Sequence, residues 1–459
     1  MFNLEIENFR GFNNIDNKNN TLDISKTNIL IGENSGGKTS FIKLLLLLKQ
    51  SMETPNKDKK INLNGHLVDL GSFDTFINKS SNEKFFKVTF DIYGEEYINY
   101  YINAIKTDKT DVKKFVNDSM YFIEDSIELS FIFKKEENEF FTNNIEIKSK
   151  NIGKISFDIE DQSRFSILSD VKADLIIEHK KLGSIRIPNK LTIYGFMLLA
   201  NGDNIASYGK EKGYDNFLYE MAFLLITQNF VAAMLRNMHY INPIKFHPSR
   251  IMLKRDGGFN GQINDFESLI NALSALNDSK NDYSKEILEN FNSAIIELNI
   301  ADEIKLETNS SMQVSELKVK KSGIWSSIVD VGYGVGLQVP ILLQAIICSK
   351  SDFMQTLIIE QPEIHLHPAL HAKFIEVLIK YAGDTNLIIE THSEHIIRKI
   401  QVLVKKDILD LEKVKIYYFK NDIGTFDITS HYIDEDGKLQ PPFPKGFYDN
   451  SYNLSKELY

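Results

Sequence analysis

The sequence predicts an α/β fold with a mixed sheet, interrupted by a large insertion that is first β-rich and then helical. Three observations support this prediction. An apolar strand at 28–31 runs directly into a glycine-rich loop and a Leu-rich helix at 41–49. Aromatic and β-branched residues then alternate with polar ones from about residue 85 to residue 168, which is typical of antiparallel strands. After Ile324, strand and helix patterns alternate again.

The remaining elements follow from local patterns. Leu4, Ile6 and Phe9 near the N-terminus indicate a short β unit. Apolar residues recur at helical spacing over 214–240 and 262–299, and two prolines make 241–250 irregular between them. The later part is predicted to contain strands at 356–360 and 386–391, a helix from Pro368 between them, and two β runs around 415–420 and 425–433.

A chain of 459 residues is long for one domain, since domains usually hold about 100–200 residues. We therefore divide it into regions. These are an N-terminal lobe at 1–54, an insertion at 55–325 with a β-rich part at 85–190 and a helical part at 214–300, a C-terminal lobe at 326–412 and a β tail at 413–459.

Composition narrows the class of protein. The chain is 42% hydrophobic and 25% charged, which is ordinary for a globular protein and excludes a mostly disordered one. A net charge of −10 disfavours a surface built for nucleic acid, and we expect the lysines at 57–60 and 318–321 to lie on solvated faces. We expect no membrane span and no secretory leader, and the single cysteine, Cys348, suits a reducing cytoplasm.

The sharpest motif is the loop at 32–39, GENSGGKT, which matches the phosphate-loop pattern G-x4-G-K-[ST] in full. Because it lies between an apolar strand and an apolar helix, its backbone N–H groups can surround a phosphate of ATP. Lys38 would reach the β- and γ-phosphate oxygens and Thr39 would bind Mg²⁺. The alternative is a glycine-rich turn with an exposed lysine. The predicted ATP-binding residues are Asn34, Ser35, Gly36, Gly37, Lys38, Thr39 and Ser40.

A phosphate loop needs an acidic metal partner at the end of another buried strand, and Glu360 ends the apolar run LIIE. His392 ends the next apolar strand, 392 − 360 = 32 residues later. This spacing leaves room for one crossover helix, so the two strand ends can be neighbours in a parallel sheet. By itself, a histidine at a strand end is more often simply solvated.

The order of these motifs resembles that in ABC-type ATPases of the SMC-like and OLD-like branch. The resemblance implies that Glu360 assists Mg²⁺, that His392 donates to the γ-phosphate, and that position 361 polarises the attacking water. The family has glutamate there, whereas this chain has Gln361, which cannot accept a proton at neutral pH. We therefore expect either slow hydrolysis or a transfer of the base role to Glu363.

The resemblance also assigns residues outside these motifs. Gly334 and Gly336 fall in a degenerate signature segment, which in the family caps the nucleotide of the partner subunit; the alternative is a flexible loop before a helix. Arg10 falls in a turn near the nucleotide, and Gln50 is a candidate lid or metal contact that could equally be an exposed polar residue. A metal site formed by the three histidines of EIHLHPALH is disfavoured, because no cysteine or ordered carboxylate set accompanies them.

An ABC-type head binds ATP between two subunits, so the resemblance implies a homodimer or a larger even oligomer. The chain resembles bacterial anti-phage ATPases related to PtuA of Septu and AriA of PARIS. We expect no nuclease domain, because only 459 − 392 = 67 residues follow His392. The resemblance implies an ATP-binding, slowly hydrolysing cytoplasmic scaffold that regulates a nuclease or toxin encoded nearby. The alternatives are a RecF-like ATPase that clamps DNA and, less favoured, a transporter motor subunit.

Overall fold

The computed structural model describes residues 2–13, 21–53, 61–78, 84–92, 126–136, 139–149, 153–158, 173–179, 183–194, 197–200, 217–242, 246–253, 259–279, 281–309, 311, 314–331, 333–444 and 456–457. These residues divide between two compact units. The first unit contains Met1–Ile24, Ser35–Arg236 and Lys420–Ile428, and the second contains Ser25–Asn34, Asn237–Phe419 and Thr429–Tyr459. The predicted division into lobes, insertion and tail cuts the chain at other points and stays a prediction.

The secondary structure consists of strands and helices, including a strand at Met238–Ile241 where the end of a helix is predicted and strands at 303–321 that the patterns do not predict. The strands are β1 (Phe2–Glu7), β2 (Thr21–Ile24), β3 (Thr27–Gly32), β4 (Phe85–Ile92), β5 (Ile127–Glu136), β6 (Glu139–Ser149), β7 (Gly153–Asp158), β8 (Ala173–His179), β9 (Gly183–Tyr194), β10 (Met197–Ala200), β11 (Met238–Ile241), β12 (Met252–Leu253), β13 (Glu303–Asn309), β14 (Val314–Lys321), β15 (Ile324–Ser327), β16 (Thr356–Glu360), β17 (Asn386–Glu390), β18 (Val414–Asp422), β19 (Thr425–Ile433) and β20 (Leu439–Gln440). The helices are α1 (Lys38–Glu53), α2 (Phe73–Phe76), α3 (Phe217–Arg236), α4 (Phe266–Asp278), α5 (Asp282–Glu297), α6 (Tyr333–Ser349), α7 (Pro368–Ala382) and α8 (Glu394–Lys405).

The first unit is built around an antiparallel sheet in the order β10-β9-β8-β7-β6-β5-β4-β1-β2. The alternation in β4 and β5 places Phe86 and Phe133 on the same face, where their rings stack at 4.7 Å between centroids. The structure therefore confirms antiparallel strands where the pattern predicts them, and the short N-terminal strands extend the same sheet.

The Leu-rich run that follows the glycine loop forms part of helix α1. Its leucines are buried within the first unit rather than arranged as one apolar stripe. Lys49 is also buried, and its ammonium donates to the Arg236 carbonyl at 2.9 Å and pairs with Glu53. Among the helices described, none has the length and apolar character to cross a bilayer.

The second unit contains a mixed sheet in the order β11-β16-β17-β3-β18-β19-β20. The pairs from β11 to β18 are parallel, and β19 pairs with β20 antiparallel. Strands β3, β16 and β17 are almost wholly apolar and buried, as expected for parallel strands covered on both faces. This confirms the predicted α/β class and places the carboxyl ends of β3, β16 and β17 at one edge, which we call the carboxyl edge.

The second unit also holds a small antiparallel sheet in which β14 pairs with β12, β13 and β15. Leu317 and Val319 point inward, while Glu316, Lys318 and Lys320 alternate with them on the outer face. The lysines at 318–321 thus lie on a solvated face, as expected. The cluster at 57–60 lies outside the described residues.

Candidate functional site

The phosphate loop begins at the carboxyl edge. Gly32 ends β3 with φ +130°, and a Cβ there would lie 2.0 Å from the Phe419 carbonyl oxygen of β18. The following Glu33 N–H donates to that same carbonyl at 3.0 Å. The close strand contact therefore requires glycine at 32, and it fixes where the loop leaves the sheet.

The rest of the loop leads into α1, which begins at Lys38. The Phe41 N–H donates to the Gly37 carbonyl at 2.9 Å, so the earlier N–H groups of the loop have no helical carbonyl to bond. Lys38 is only 4% exposed, whereas the Thr39 side chain lies at the surface. A helix N-terminus that follows glycines in this way favours a bound phosphate.

Arg10 lies beside the start of α1 in the first unit. Its guanidinium Nη1 donates to Ser40 Oγ at 3.1 Å, and its Nε is buried without a hydrogen-bond partner. Burial lowers the pKa of this guanidinium from its usual range. A half-buried guanidinium with an unused donor is well suited to an anion, which supports the predicted role of Arg10 in ATP binding.

Two carboxylates stand side by side at the carboxyl edge. Glu360 ends β16 directly opposite Glu390, which ends β17 and is 4% exposed. This confirms the prediction that the strands before Glu360 and His392 are neighbours in one parallel sheet. Sequence reasoning missed Glu390, although the two strand ends carry the same four letters, LIIE, in the same register.

Two residues near β11 contact Glu360 and were also missed. Tyr240 hydrogen-bonds to Glu360, and Asn242 Nδ2 lies 3.5 Å from Glu360 Oε2 and 3.1 Å from the Tyr240 hydroxyl. Burial raises the pKa of Tyr240, and the charge of Glu360 raises it further. The hydroxyl therefore remains a proton donor that orients the Glu360 carboxylate.

Gln361 has a left-handed backbone, with φ 46°, directly after Glu360. Its N–H donates to the Glu390 carbonyl at 2.7 Å, which holds it against β17. Left-handed φ is uncommon for glutamine and costs about 1–2 kcal/mol. Such strain is concentrated at functional positions, and here it falls on the residue predicted to orient water.

Glu363 connects the acidic loop to the histidine loop. Its Oε1 accepts a hydrogen bond from the His392 N–H at 2.7 Å, while its Oε2 is buried without a partner. The Thr391 N–H donates to the Leu30 carbonyl of β3 at 3.0 Å, and the His392 side chain is exposed. The structure therefore brings Glu360, Gln361, Glu363 and His392 to the edge where the phosphate loop starts.

Gly334 and Gly336 lie in the first turn of α6, and they face residues of their own chain. A Cβ on Gly334 would lie 2.8 Å from the His365 carbonyl, and one on Gly336 would lie 3.0 Å from Pro248. Gln338 also donates to the Pro362 carbonyl at 2.8 Å. Small residues thus let α6 pack closely on the loop after β16, and contact with a partner's nucleotide stays a prediction.

The geometry of Gln50 contradicts the prediction of a lid or metal contact. Its side chain is fully buried in the first unit. The amide nitrogen donates to the Asn62 and Val68 carbonyls at 2.6 and 3.0 Å, and the amide oxygen accepts from the Leu67 and Val68 N–H groups at 3.3 and 3.0 Å. These bonds occupy the whole amide, so Gln50 stabilises the fold of 62–68.

The histidines after β16 have structural partners. His367 accepts a hydrogen bond from the Ala369 N–H and caps α7, and His371 hydrogen-bonds to Ser393 Oγ and to the Leu366 carbonyl. In the part of the chain that the structure describes, no group of three or more His, Cys, Asp or Glu residues is placed to hold a metal ion.

The residues that fit a magnesium ion are few. Glu360 offers the hard oxygen ligands that Mg²⁺ prefers, and the carboxylate of Glu390, in register with it, favours a cation there. The role of Thr39 as a magnesium ligand stays a prediction. Mg²⁺ usually takes only one or two protein ligands together with substrate phosphates and water. The donor set therefore fits a Mg²⁺ ion that is also bound by a nucleotide. Such an ion would neutralise part of the phosphate charge.

Comparison with known proteins gives one family over most of the chain. The family described as AAA ATPase domain matches residues 1–397, and a family described as a protein of unknown function (DUF3696) matches residues 409–458. A search of the curated proteins finds no match.

Solved structures similar to this chain include three SMC heads. The SMC head bound to the C-terminal winged-helix domain of ScpA is 12% identical, with 94% of this chain and 98% of that chain covered and a TM-score of 0.42. The head with an extended coiled coil bound to the C-terminal domain of ScpA from Pyrococcus furiosus is 12% identical, with both chains fully covered and a TM-score of 0.41. The SMC head from Thermotoga maritima is 9% identical, with 93% and 97% covered and a TM-score of 0.36.

Proposed function

The chain belongs to the AAA ATPase domain family, and on this premise we propose that it hydrolyses Mg·ATP slowly at the carboxyl edge. The observation that carries this proposal is the convergence of Glu360, Glu363 and His392 at the edge where β3 leads into the phosphate loop. The loop N–H groups, Lys38 and Arg10 bind the phosphates in this proposal. The phosphate-loop motif assigns Thr39 to the magnesium ion, and Glu360 at its strand end would assist the ion.

Glu363 is the general base in this proposal. Its buried Oε2 has no hydrogen-bond partner, whereas the Gln361 amide can only orient water. Water oxygen bonds to the γ-phosphorus while the bond to the bridging oxygen breaks and ADP leaves. The proton of the water passes to Glu363, and His392 donates to the γ-phosphate oxygens.

Glu363→Gln tests this assignment, because the amide oxygen can still accept from the His392 N–H but cannot take up a proton. We expect ATP turnover to fall by about 100-fold with ATP affinity retained, the usual effect of losing a general base. Glu363→Ala, which also removes the bond to His392, should lose turnover to at least the same extent. Wild-type turnover in Glu363→Gln would show that Glu363 only positions His392. Gln361→Glu supplies a carboxylate at the family position and should raise turnover.

We also propose that two copies of the chain enclose the nucleotide, each presenting Gly334 and Gly336 to the ATP of the other. Glu363→Gln is a useful variant here because it should bind ATP without consuming it. In light scattering, the Glu363→Gln variant should form an oligomer with an even number of subunits when ATP is present. A monomer under these conditions would exclude the ATP-bound dimer.

The cellular role that we propose is a cytoplasmic scaffold in anti-phage defence, whose ATP state regulates a nuclease or toxin encoded nearby. Support comes from the resemblance of the motifs and from Gln361 at the base position, since slow turnover suits a switch better than a motor. Lys38→Ala should abolish protection in a phage plating assay, while Lys318→Ala on the small sheet should retain it. Retained protection with Lys38→Ala would exclude an ATP-dependent defence role. ATP-dependent, salt-sensitive DNA binding would favour the DNA clamp instead, which the net charge of −10 disfavours.

A further inference from the structure

The hairpin formed by the end of β18 and the start of β19 contacts the phosphate loop within the first unit. Asn421 Nδ2 donates to the Ser35 carbonyl at 3.2 Å. On the other strand of the hairpin, the Phe426 N–H donates to the Gly11 carbonyl at 2.8 Å. Residues 420–428, which we call the clamp hairpin, therefore bond both to the phosphate loop and to the turn that carries Arg10.

The Phe426 ring fills the space that two glycines leave. A Cβ on Gly37 would lie 2.6 Å from the ring, and a Cβ on Gly11 would lie 2.7 Å from it. The ring also meets Phe12 edge to face, with centroids 5.1 Å apart and planes at 80°. Glycine at position 37 is thus required by ring contact as well as by its φ of +115°.

These contacts act on the residue immediately before Lys38. The loop must hold several backbone N–H groups in one conformation to bind phosphate, and ordering it only on binding would lower affinity. An aromatic ring packed on Gly37 and a hydrogen bond to Ser35 restrict the loop before nucleotide arrives. These contacts therefore favour one conformation of the loop before nucleotide binds.

We propose that Phe426 is a positioning residue for nucleotide binding, which packs on Gly37 and holds the phosphate loop in its binding conformation. This inference rests on the proposed function of the loop. Phe426 lies within residues 409–458, far from the phosphate-loop motif in the sequence, so the motif alone does not reveal this role.

The test compares ATP affinity among clamp variants by isothermal titration calorimetry with Mg·ATP. Phe426→Ala should weaken ATP binding on the order of tenfold, because the loop must then be ordered on binding. Phe426→Leu should retain most of the affinity, since an aliphatic side chain still covers Gly37. Ile423→Ala, at the hairpin tip where the side chain is 98% exposed, is the matched control and should bind as wild type does.

Hydrogen exchange gives the second readout, because a general loss of stability would not confine its effect to the loop. In nucleotide-free Phe426→Ala, amide exchange should rise in 33–41 and stay unchanged in β16. Gly11→Ala provides an independent perturbation, since its methyl group would push the ring from its place. The added change Phe426→Ala should remove that clash.

The experiments distinguish failure of the role of Phe426 from failure of the proposed ATP binding. If wild type fails to bind Mg·ATP, the proposed function fails. If wild type binds and Phe426→Ala binds equally well, or if exchange in 33–41 is unchanged, the role of Phe426 is overturned. Weakened binding with Phe426→Ala but not with Ile423→Ala supports it.

Discussion

Two regions of the second unit differ in how their charged side chains are paired. On the outer face of the small sheet, Glu307 pairs with Lys305 and Lys318, each at 2.6 Å, and Lys320 lies 3.7 Å from Glu303. At the carboxyl edge, two carboxylates stand in register, and Glu363 keeps a buried oxygen without a partner. The small sheet neutralises its charges locally, whereas the carboxyl edge concentrates negative charge.

This difference separates charges that maintain the fold from charges placed for function. Exposed ion pairs such as those of Glu307 contribute little to stability, and their charges already neutralise one another. Adjacent carboxylates and an unpaired buried oxygen cost stability, so an arrangement of this kind is expected where a cation and a substrate will be bound.

Glu360→Gln should have the largest effect. Turnover of ATP should fall by about 100-fold or more, because the carboxylate that assists the magnesium ion is lost. The melting temperature should stay the same or rise, since one of two neighbouring negative charges is removed. Steady-state ATPase assays and thermal unfolding measure the two quantities.

The matched control is Glu307→Gln on the small sheet, which should leave turnover at the wild-type value. Equal turnover in Glu360→Gln and Glu307→Gln would remove the functional distinction between the two regions.

Tyr240→Phe should lower turnover by about tenfold, the lower end of effects seen when a residue that orients a metal ligand is lost. It should also change the response to alkali. The pKa of Tyr240 is raised in the folded protein, so above about pH 10 the unfolded chain releases a proton that the folded chain keeps, and stability falls as pH rises.

The Phe variant lacks this proton, so its free energy of unfolding should decline less steeply between about pH 10 and pH 11. Denaturant unfolding at each pH measures the decline. An unchanged slope together with wild-type turnover would mean that Tyr240 does not influence Glu360.

A matched pair of substitutions compares backbone strain in the two regions. Gln361 has φ 46° at the carboxyl edge, and Ser322 has φ 50° in the turn between β14 and β15. Asparagine tolerates left-handed φ better than either residue, so Gln361→Asn and Ser322→Asn should each raise the free energy of unfolding by up to about 1 kcal/mol.

Only Gln361→Asn should change ATP turnover, by a few-fold, because its shorter amide no longer reaches the same water. If Ser322→Asn alters turnover equally, the strain at Gln361 has no special connection with the site.

The sequence predicted the parts of this site that depend on local pattern. The phosphate loop, the apolar strands ending at Glu360 and His392, and their neighbouring positions in the sheet all follow from motif and spacing. Glu390 could have been found from the repeated LIIE, because equal strands in a parallel sheet bring equal positions together.

The residues that sequence reasoning missed or misassigned depend on distant contacts. Tyr240 reaches Glu360 across 120 positions of chain (360 − 240), and Phe426 reaches Gly37 across 389 (426 − 37). Gln50 was assigned from its place after the predicted helix at 41–49, but it lies within α1, and its hydrogen bonds go to residues 62–68, a contact that no local pattern predicts.

Calorimetric titration of ATP with and without Mg²⁺ tests the central claim most directly, when wild type is compared with Glu360→Gln. If the carboxyl edge holds Mg·ATP, wild type binds ATP more tightly with Mg²⁺ than with EDTA, and Glu360→Gln loses most of that difference. No binding by wild type, or the same dependence on Mg²⁺ in both proteins, would contradict the account.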